Sequence, residues 1–170
     1  ASIENDCAHL ATIDASTGDF SLASFPLARL RDELARRPIA ELIIAEDRDG
    51  ATHPALTGLP VETTPVPGWV FRTKEAHEAL REQFGVTTLA GFDLPDDDPL
   101  VAPAGALVRR LRDTQSPGET APALVHLAPP RRERDDARVR IDAPSLRALE
   151  VEDTLRAGSH DHSLVGALLA

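Results

Sequence analysis

Residues 84–115 constrain the fold most, because they combine a packed loop with a well-defined amphipathic helix. Four apolar residues are spaced through a loop that also holds the run of aspartates at 96–98: Phe84, Leu89, Phe92 and Leu94. Such anchors indicate a loop that packs on a hydrophobic core. A second apolar set then recurs at helical spacing: Ala104, Leu107, Val108 and Leu111. This stripe predicts a helix that ends at residues 113–115, with its arginines on the other side.

The segments before this stretch alternate between strand and helix patterns. Residues 7–14 and 20–23 have strand patterns and are separated by turn-forming residues at 16–19, which predicts a β-hairpin. A helix pattern bounded by two prolines covers residues 26–38. Residues 41–46 form a short apolar run between charged ends, which is typical of a buried strand in a parallel sheet. The order of hairpin, helix and buried strand predicts an α/β domain.

A break in composition predicts that the chain has two parts. A short edge strand is expected at residues 61–64, because the prolines beside it do not suit a central strand. An apolar stripe between residues 76 and 84 predicts a further helix. Residues 116–138 are polar and contain several prolines, which is typical of a linker. We therefore expect residues 1–128 to form an α/β domain with a mixed sheet flanked by helices, and residues 129–170 to extend away and begin a separate helical domain.

The C-terminal part is expected to be the start of a helical domain. Asp142 is suited to cap one helix, which Gly158 would end. A second amphipathic pattern begins at Leu164 and is cut off at Ala170. The chain also contains no methionine, which favours an excised internal fragment of a longer protein.

Charge and cysteine content limit the classes of function. The net charge of −10 argues against an overall nucleic-acid surface, because such surfaces neutralise phosphates with lysine and arginine. No apolar run of about 18 residues is present, so no membrane span is expected. There is no signal-peptide pattern, and Cys7 is the single cysteine, which favours a reducing cytoplasm.

Short motifs along the chain resemble the connector domain of the MutS family of DNA mismatch repair ATPases. Each motif alone is weak, but their order and spacing together are specific. The central ones are QFG at 83–85, LAGF at 89–92, AGAL at 104–107 and DTQ at 113–115. The hairpin sequence IDASTGDF at 13–20 and the SLVGAL run at 163–168 extend the resemblance over nearly the whole chain.

The resemblance implies a domain assignment and a set of partners. Residues 1–128 would be connector domain II with a ribonuclease H-like fold, and residues 129–170 would be the linker and the start of the core or lever domain III. The connector would be non-catalytic. It would couple the mismatch-binding domain to the lever and ATPase domains, and offer a docking surface for MutL. Mismatched DNA, ATP and magnesium would be bound by parts of the full-length protein outside this chain, which would also contact a second MutS subunit.

An alternative interpretation is a divergent ribonuclease H-like nuclease that depends on metal ions. Asp14 lies at the end of the first strand, where such nucleases place a metal-binding aspartate, and Asp93 with the aspartates at 96–98 could be its partners. The other interpretation is that Asp14 opens a tight turn through its side-chain oxygens. His160 and His162 lack a third nearby ligand for zinc. No phosphate-binding loop of the GxxxxGK[ST] type occurs, so no ATP site is expected in these residues.

The acidic loop is the candidate partner-binding site. Asp96, Asp97 and Asp98 form the sharpest concentration of charge, and Pro95 and Pro99 limit the freedom of the loop. Such a loop can recruit a basic partner by charge complementarity, which raises the association rate. The alternative is a solvated loop with no partner.

Overall fold

The chain begins with three antiparallel strands, seen in a computed structural model that describes residues 1–47, 49–115 and 124–133. The strands are β1 (Ser2–Glu4), β2 (Cys7–Ile13) and β3 (Phe20–Pro26). The β2–β3 hairpin is as predicted, with Ile13 opposite Phe20 at the turn. β1 was not predicted. It turns into β2 through Asn5 and Asp6, whose positive φ angles of 48° and 58° suit a tight hairpin turn.

A short helix and a pair of parallel strands follow. Helix α1 (Leu30–Ala35) buries Leu30 and Leu34. Strand β4 (Leu42–Glu46) pairs in parallel with β5 (Thr63–Pro67), so the predicted buried parallel strand is confirmed.

The predicted edge strand at 61–64 was wrong in position, because β5 begins at Thr63 and runs through Pro65 and Pro67. The backbone alternation explains how the prolines are accommodated. The backbone carbonyl of Glu62 accepts a hydrogen bond from the backbone N–H of Leu42. The backbone N–H and carbonyl groups of the even-numbered residues therefore point towards β4, and the nitrogens of the prolines point away from it.

Two longer helices complete the domain. Helix α2 (Thr73–Phe84) ends at Gly85, whose φ of 62° places it in the left-handed conformation typical of a helix C-cap. Helix α3 (Val101–Gln115) ends where the sequence predicted. Between them, the apolar anchors Leu89 and Leu94 are fully buried, as expected of a loop that packs on a core.

A last strand closes the main sheet. Strand β6 (Arg131–Arg132) pairs in parallel with β3, giving the strand order β1-β2-β3-β6. The sheet is therefore mixed, and the predicted α/β class is confirmed. Among the described residues, however, the strands form two hydrogen-bonded sheets, since β4 and β5 pair separately. The backbone nitrogen of Ala1 lies 2.8 Å from the carbonyl oxygen of Ile43 and joins the edge of one sheet to the other.

The main sheet is covered on both faces. Phe20 and Leu22 of β3 belong to a core shared with α2 and α3. Ala23 and Phe25 of the same strand belong to a second core shared with α1 and β4. Because successive side chains of a strand point to opposite faces, this division explains why β3 is almost continuously apolar.

Residues 1–133 form one compact unit and residues 134–170 another. The boundary expected after residue 128 stays a prediction, although β6 shows that the first unit continues to Glu133. The expected helices after Asp142 and Leu164, the histidines at 160 and 162 and most of the expected linker lie outside the described residues. In the part of the chain that is described, no helix has the length and apolar character needed to cross a membrane.

Candidate functional site

The hairpin turn occupies the carboxylate of Asp14. One oxygen, Oδ1, accepts hydrogen bonds from the Ser16 backbone at 2.8 Å, the Ser16 hydroxyl at 2.6 Å and the Thr17 backbone at 3.3 Å. The bonds from Ser16, followed by those from Thr17, hold the pKa of Asp14 below its ordinary value. The turn interpretation of Asp14 is confirmed. Over residues 1–47, 49–115 and 124–133, no three His, Cys, Asp or Glu side chains come together as a metal-binding group.

The same turn docks onto the segment that follows α3. Gly18 has a φ of +77°, and a Cβ placed on it would lie 2.0 Å from the carbonyl oxygen of His126. The Gly18 carbonyl accepts a 2.8 Å hydrogen bond from Ala128, and the His126 ring donates to the carbonyl of Ala15 at 3.2 Å. The glycine is therefore required both for its backbone conformation and for close contact between two backbones.

The QFG motif holds this segment from the other side. The buried side chain of Gln83 donates to the carbonyl of Leu124 at 2.9 Å and accepts from its N–H at 3.1 Å. Phe84 stacks with Phe20 at a centroid distance of 6.4 Å and meets Phe92 edge-on at 5.3 Å. Gly85 ends the helix. Each residue of the motif thus has a separate structural role.

The AGAL motif brings the two long helices into backbone contact. A Cβ on Gly105 would lie 2.3 Å from Cα, 2.5 Å from Cβ and 2.5 Å from the carbonyl oxygen of Ala76. Only glycine permits this approach without displacing a helix. The contact fixes α3 on α2 and so sets the position of the acidic loop between them.

The three candidate aspartates of that loop have different surroundings. The Asp96 side chain is 91% exposed, and Asp97 is also exposed. The Asp98 side chain is 8% exposed and accepts hydrogen bonds from the Leu100 backbone at 2.9 Å and from the Arg132 guanidinium. Two of the three carboxylates therefore face solvent, and the third braces the loop.

A residue that no sequence pattern singles out fastens the loop backbone to α2. His77 is buried, and its ring Nε2 donates to the carbonyl of Asp96 at 3.0 Å. Asp96 is thus held in place through its backbone while its carboxylate stays in water.

Other charged residues that sequence reasoning missed lie around β6. Arg132 donates to the Asp93 carbonyl at 3.2 Å in addition to its ion pair with Asp98. Arg37 pairs with Glu133 through hydrogen bonds of 2.8 and 2.9 Å. The bond to Glu133 is the main cause that raises the pKa of Arg37. In the sequence, Arg132 and Glu133 stand in a charged run that follows two prolines. Nothing in that run indicates which distant residues its charges pair with.

Buried His9 is a further polar residue inside the sheet region. Its ring Nδ1 lies 2.9 Å from the hydroxyl oxygen of Ser24 on the neighbouring strand. Burial lowers the pKa of His9, and the negative charges of Glu4 and Asp98 partly oppose that shift. The contact joins the side chains of two residues that are paired across β2 and β3.

These contacts describe a mixed α/β domain whose polar clusters fasten its own loops and the segment at residues 124–133. A family model described as MutS domain II matches residues 1–127, and the chain belongs to this family. The resemblance drawn from the motifs is therefore confirmed.

Relatives carry the same designation. A protein of Rhodopirellula baltica named DNA mismatch repair protein MutS is 33% identical to this chain over 164 residues. A protein of the same name from Cereibacter sphaeroides is 38% identical to it over 163 residues. Each match covers 96% of this chain and 18% of the relative. A third, from Salinibacter ruber, is 30% identical over 156 residues. The chain thus spans less than a fifth of the length of these relatives.

Proposed function

We propose that this domain is a non-catalytic connector in a DNA mismatch repair protein, and that its acidic loop offers a docking surface for MutL. The membership in MutS domain II and the names of the relatives support the repair setting. The observation that carries the docking site is the outward-facing pair Asp96 and Asp97 on a loop that the domain holds in place from beneath.

The loop has the properties of a preorganised electrostatic contact. His77 fixes the carbonyl of Asp96, and the buried Asp98 carboxylate binds Arg132 and the Leu100 backbone. A loop that is already ordered loses little conformational entropy when a partner binds. Two exposed carboxylates on such a loop attract a basic surface and orient it, which affects the association rate more than the affinity.

In this proposal, the other activities of the repair protein belong to parts that lie outside these residues. ATP and magnesium would be bound, and mismatched DNA read, by parts of the protein outside these 170 residues, in agreement with the missing phosphate-binding loop. The domain would contact other MutS domains and a second MutS subunit only as part of the whole protein. Its single cysteine supports a cytoplasmic setting.

The docking site is tested in a full-length MutS protein that carries this domain. The loop variant combines Asp96→Asn and Asp97→Asn. The control variant combines Asp32→Asn and Glu78→Gln, because the side chains of Asp32 and Glu78 are exposed and make no ion pair among the described residues. Both variants remove two negative charges. At low salt, we expect only the loop variant to slow association with MutL, by roughly 3- to 10-fold.

Two results would contradict the proposal. Equal slowing in both variants would mean that net charge matters and the loop does not. Loss of mismatch binding in the loop variant would place the loop on the DNA side. The nuclease alternative predicts magnesium-dependent or manganese-dependent cleavage that disappears in Asp14→Asn, whereas the connector proposal predicts no cleavage in either protein.

A further inference from the structure

The segment that leaves the domain is held by two different kinds of contact. Its first part is held by apolar burial and backbone hydrogen bonds: Leu124 and Leu127 are buried, and Ala128 donates to Gly18 at 2.8 Å. Its last part, residues 131–133, has exposed or half-buried side chains and is held chiefly through charge. The two parts therefore respond differently to the removal of a charged side chain.

Strand β6 is too short to hold itself on the sheet. It pairs with β3 at two positions, Ser21 with Arg131 and Leu22 with Arg132, and the Glu133 backbone donates to Leu22 at 2.7 Å. A strand of this length contributes few ladder hydrogen bonds, and each is worth only about 0.5–1.5 kcal/mol net. Its attachment must depend on side-chain contacts.

Those contacts are ion pairs with elements on both sides. On one side, Arg132 binds the Asp98 carboxylate and the Asp93 carbonyl, and its Nε lies 3.8 Å from the Asp93 carboxylate. On the other side, Glu133 binds Arg37 through two hydrogen bonds, and Arg37 is also 3.5 Å from Glu33. Arg131, in the same strand, is exposed and makes no ion pair within the described residues.

We propose that residues 131–133 are a detachable exit strand, fastened by an ionic strap of Arg132 with Asp98 and Glu133 with Arg37, which opens while the rest of the domain stays folded. Opening moves the last attachment of the segment from Glu133 back to Ala128, so the already extended residues 131–133 leave the sheet. Three residues in extended conformation add about 10 Å of reach. The strap therefore sets the length of the tether between this domain and the following part of the protein.

The strap also connects the exit strand to the acidic loop, since Asp98 belongs to both. This further step depends on the docking proposal above. Because Arg132 braces the loop through Asp98, the attached strand keeps Asp96 and Asp97 ordered for docking, and docking in turn favours the attached strand.

The strap is tested without any partner, by amide hydrogen exchange measured by NMR on the 170-residue chain. The reporter is the Glu133 amide, and the Ala128 amide serves as the internal reference because it bonds to Gly18 upstream of the strap. Arg132→Ala is expected to speed Glu133 exchange about 10-fold or more, because bonds to charged groups are worth more than neutral ones. The matched control Arg131→Ala is expected to change it less than about 2-fold, since its exposed side chain makes no ion pair with the described residues.

A second variant tests the partner of Arg132. Asp98→Asn keeps an oxygen for the Leu100 backbone but loses the charge, and it is expected to speed Glu133 exchange while leaving Ala128 unchanged.

Equal effects of Arg131→Ala and Arg132→Ala would overturn the proposal, because the ion pairs of Arg132 would then not hold the strand. Equal exchange rates of Glu133 and Ala128 in every variant would also overturn it, because the strand would then open only with the whole domain. These outcomes do not depend on MutL, so failure of the strap is distinguishable from failure of the docking site.

Discussion

Replacing Gly105 by alanine should destabilise the domain, although the same change stabilises most helices. In an exposed helix interior, alanine is favoured over glycine by about 1 kcal/mol. Here the new Cβ would lie 2.3–2.5 Å from three atoms of Ala76, two of them backbone, so no side-chain rotation can relieve the contact. To reach an ordinary separation of 3.4 Å, the helices must move apart by about 1 Å.

The expected magnitude follows from these opposing effects. Overpacking in a close-packed core costs about 1–3 kcal/mol and sometimes more, and this case lies at the upper end because both long helices must shift. After the gain in helix propensity, the net loss of stability should be about 2 kcal/mol. For a domain of this size, that corresponds to a melting temperature lower by roughly 4–8 °C.

Urea denaturation of the 170-residue chain gives the free energy directly. Gly91→Ala is the matched control, because its Cβ would meet nothing within 4 Å. A Gly105→Ala variant as stable as the parent would refute the close contact between α2 and α3. The double variant with Ala76→Gly should recover only part of the loss, since the Cα and carbonyl contacts persist. Full recovery would mean that the Ala76 side chain, and not its backbone, limits how closely α2 and α3 can approach.

Further predictions concern the turn at Gly18, the contact of Gln83 with Leu124, and buried His9. Gly18→Ala should cost about 2–4 kcal/mol by the same denaturation assay, because it adds left-handed strain to a contact with the backbone of His126. Gln83→Leu, which keeps the volume, should cost about 1–3 kcal/mol, because the buried N–H of Leu124 loses the Gln83 acceptor, whereas the Leu124 carbonyl still accepts from Leu127; a loss below about 0.5 kcal/mol would contradict this. Burial lowers the pKa of His9 in the folded protein, so the unfolded chain binds the proton more readily. The His9 contribution is therefore present above pH 6.5 and lost as the pH falls below it. His9→Gln should flatten that part of the stability profile, and an unchanged profile would refute the assignment.

Local patterns in the sequence predicted the local elements. The two long helices carry a periodic apolar pattern, the buried strand β4 carries a continuous apolar run, and the β2–β3 hairpin combines two apolar segments with turn-forming residues between them. Strands β1 and β6 have three and two residues, too few for a pattern, and β6 is a strand only because β3 lies beside it. Such non-local pairing cannot be read from the segment itself.

The acidic loop shows the same limit at the level of side chains. Asp96, Asp97 and Asp98 are three adjacent residues of the same type, so the sequence predicted a single cluster of negative charge. The structure separates them, because the turn before Leu100 directs the Asp98 carboxylate towards its own backbone and towards Arg132, which is 34 residues away. The partner-site prediction itself is still to be tested, and the exposed pair is where it should be tested first.

The contact of Gln83 with Leu124 has a practical consequence for engineering the protein. Gln83 binds the N–H and the carbonyl of residue 124 and does not depend on what side chain that residue carries. Residue 124 can therefore be exchanged for another apolar residue without loss of these two hydrogen bonds, which hold the segment to α2 through its backbone.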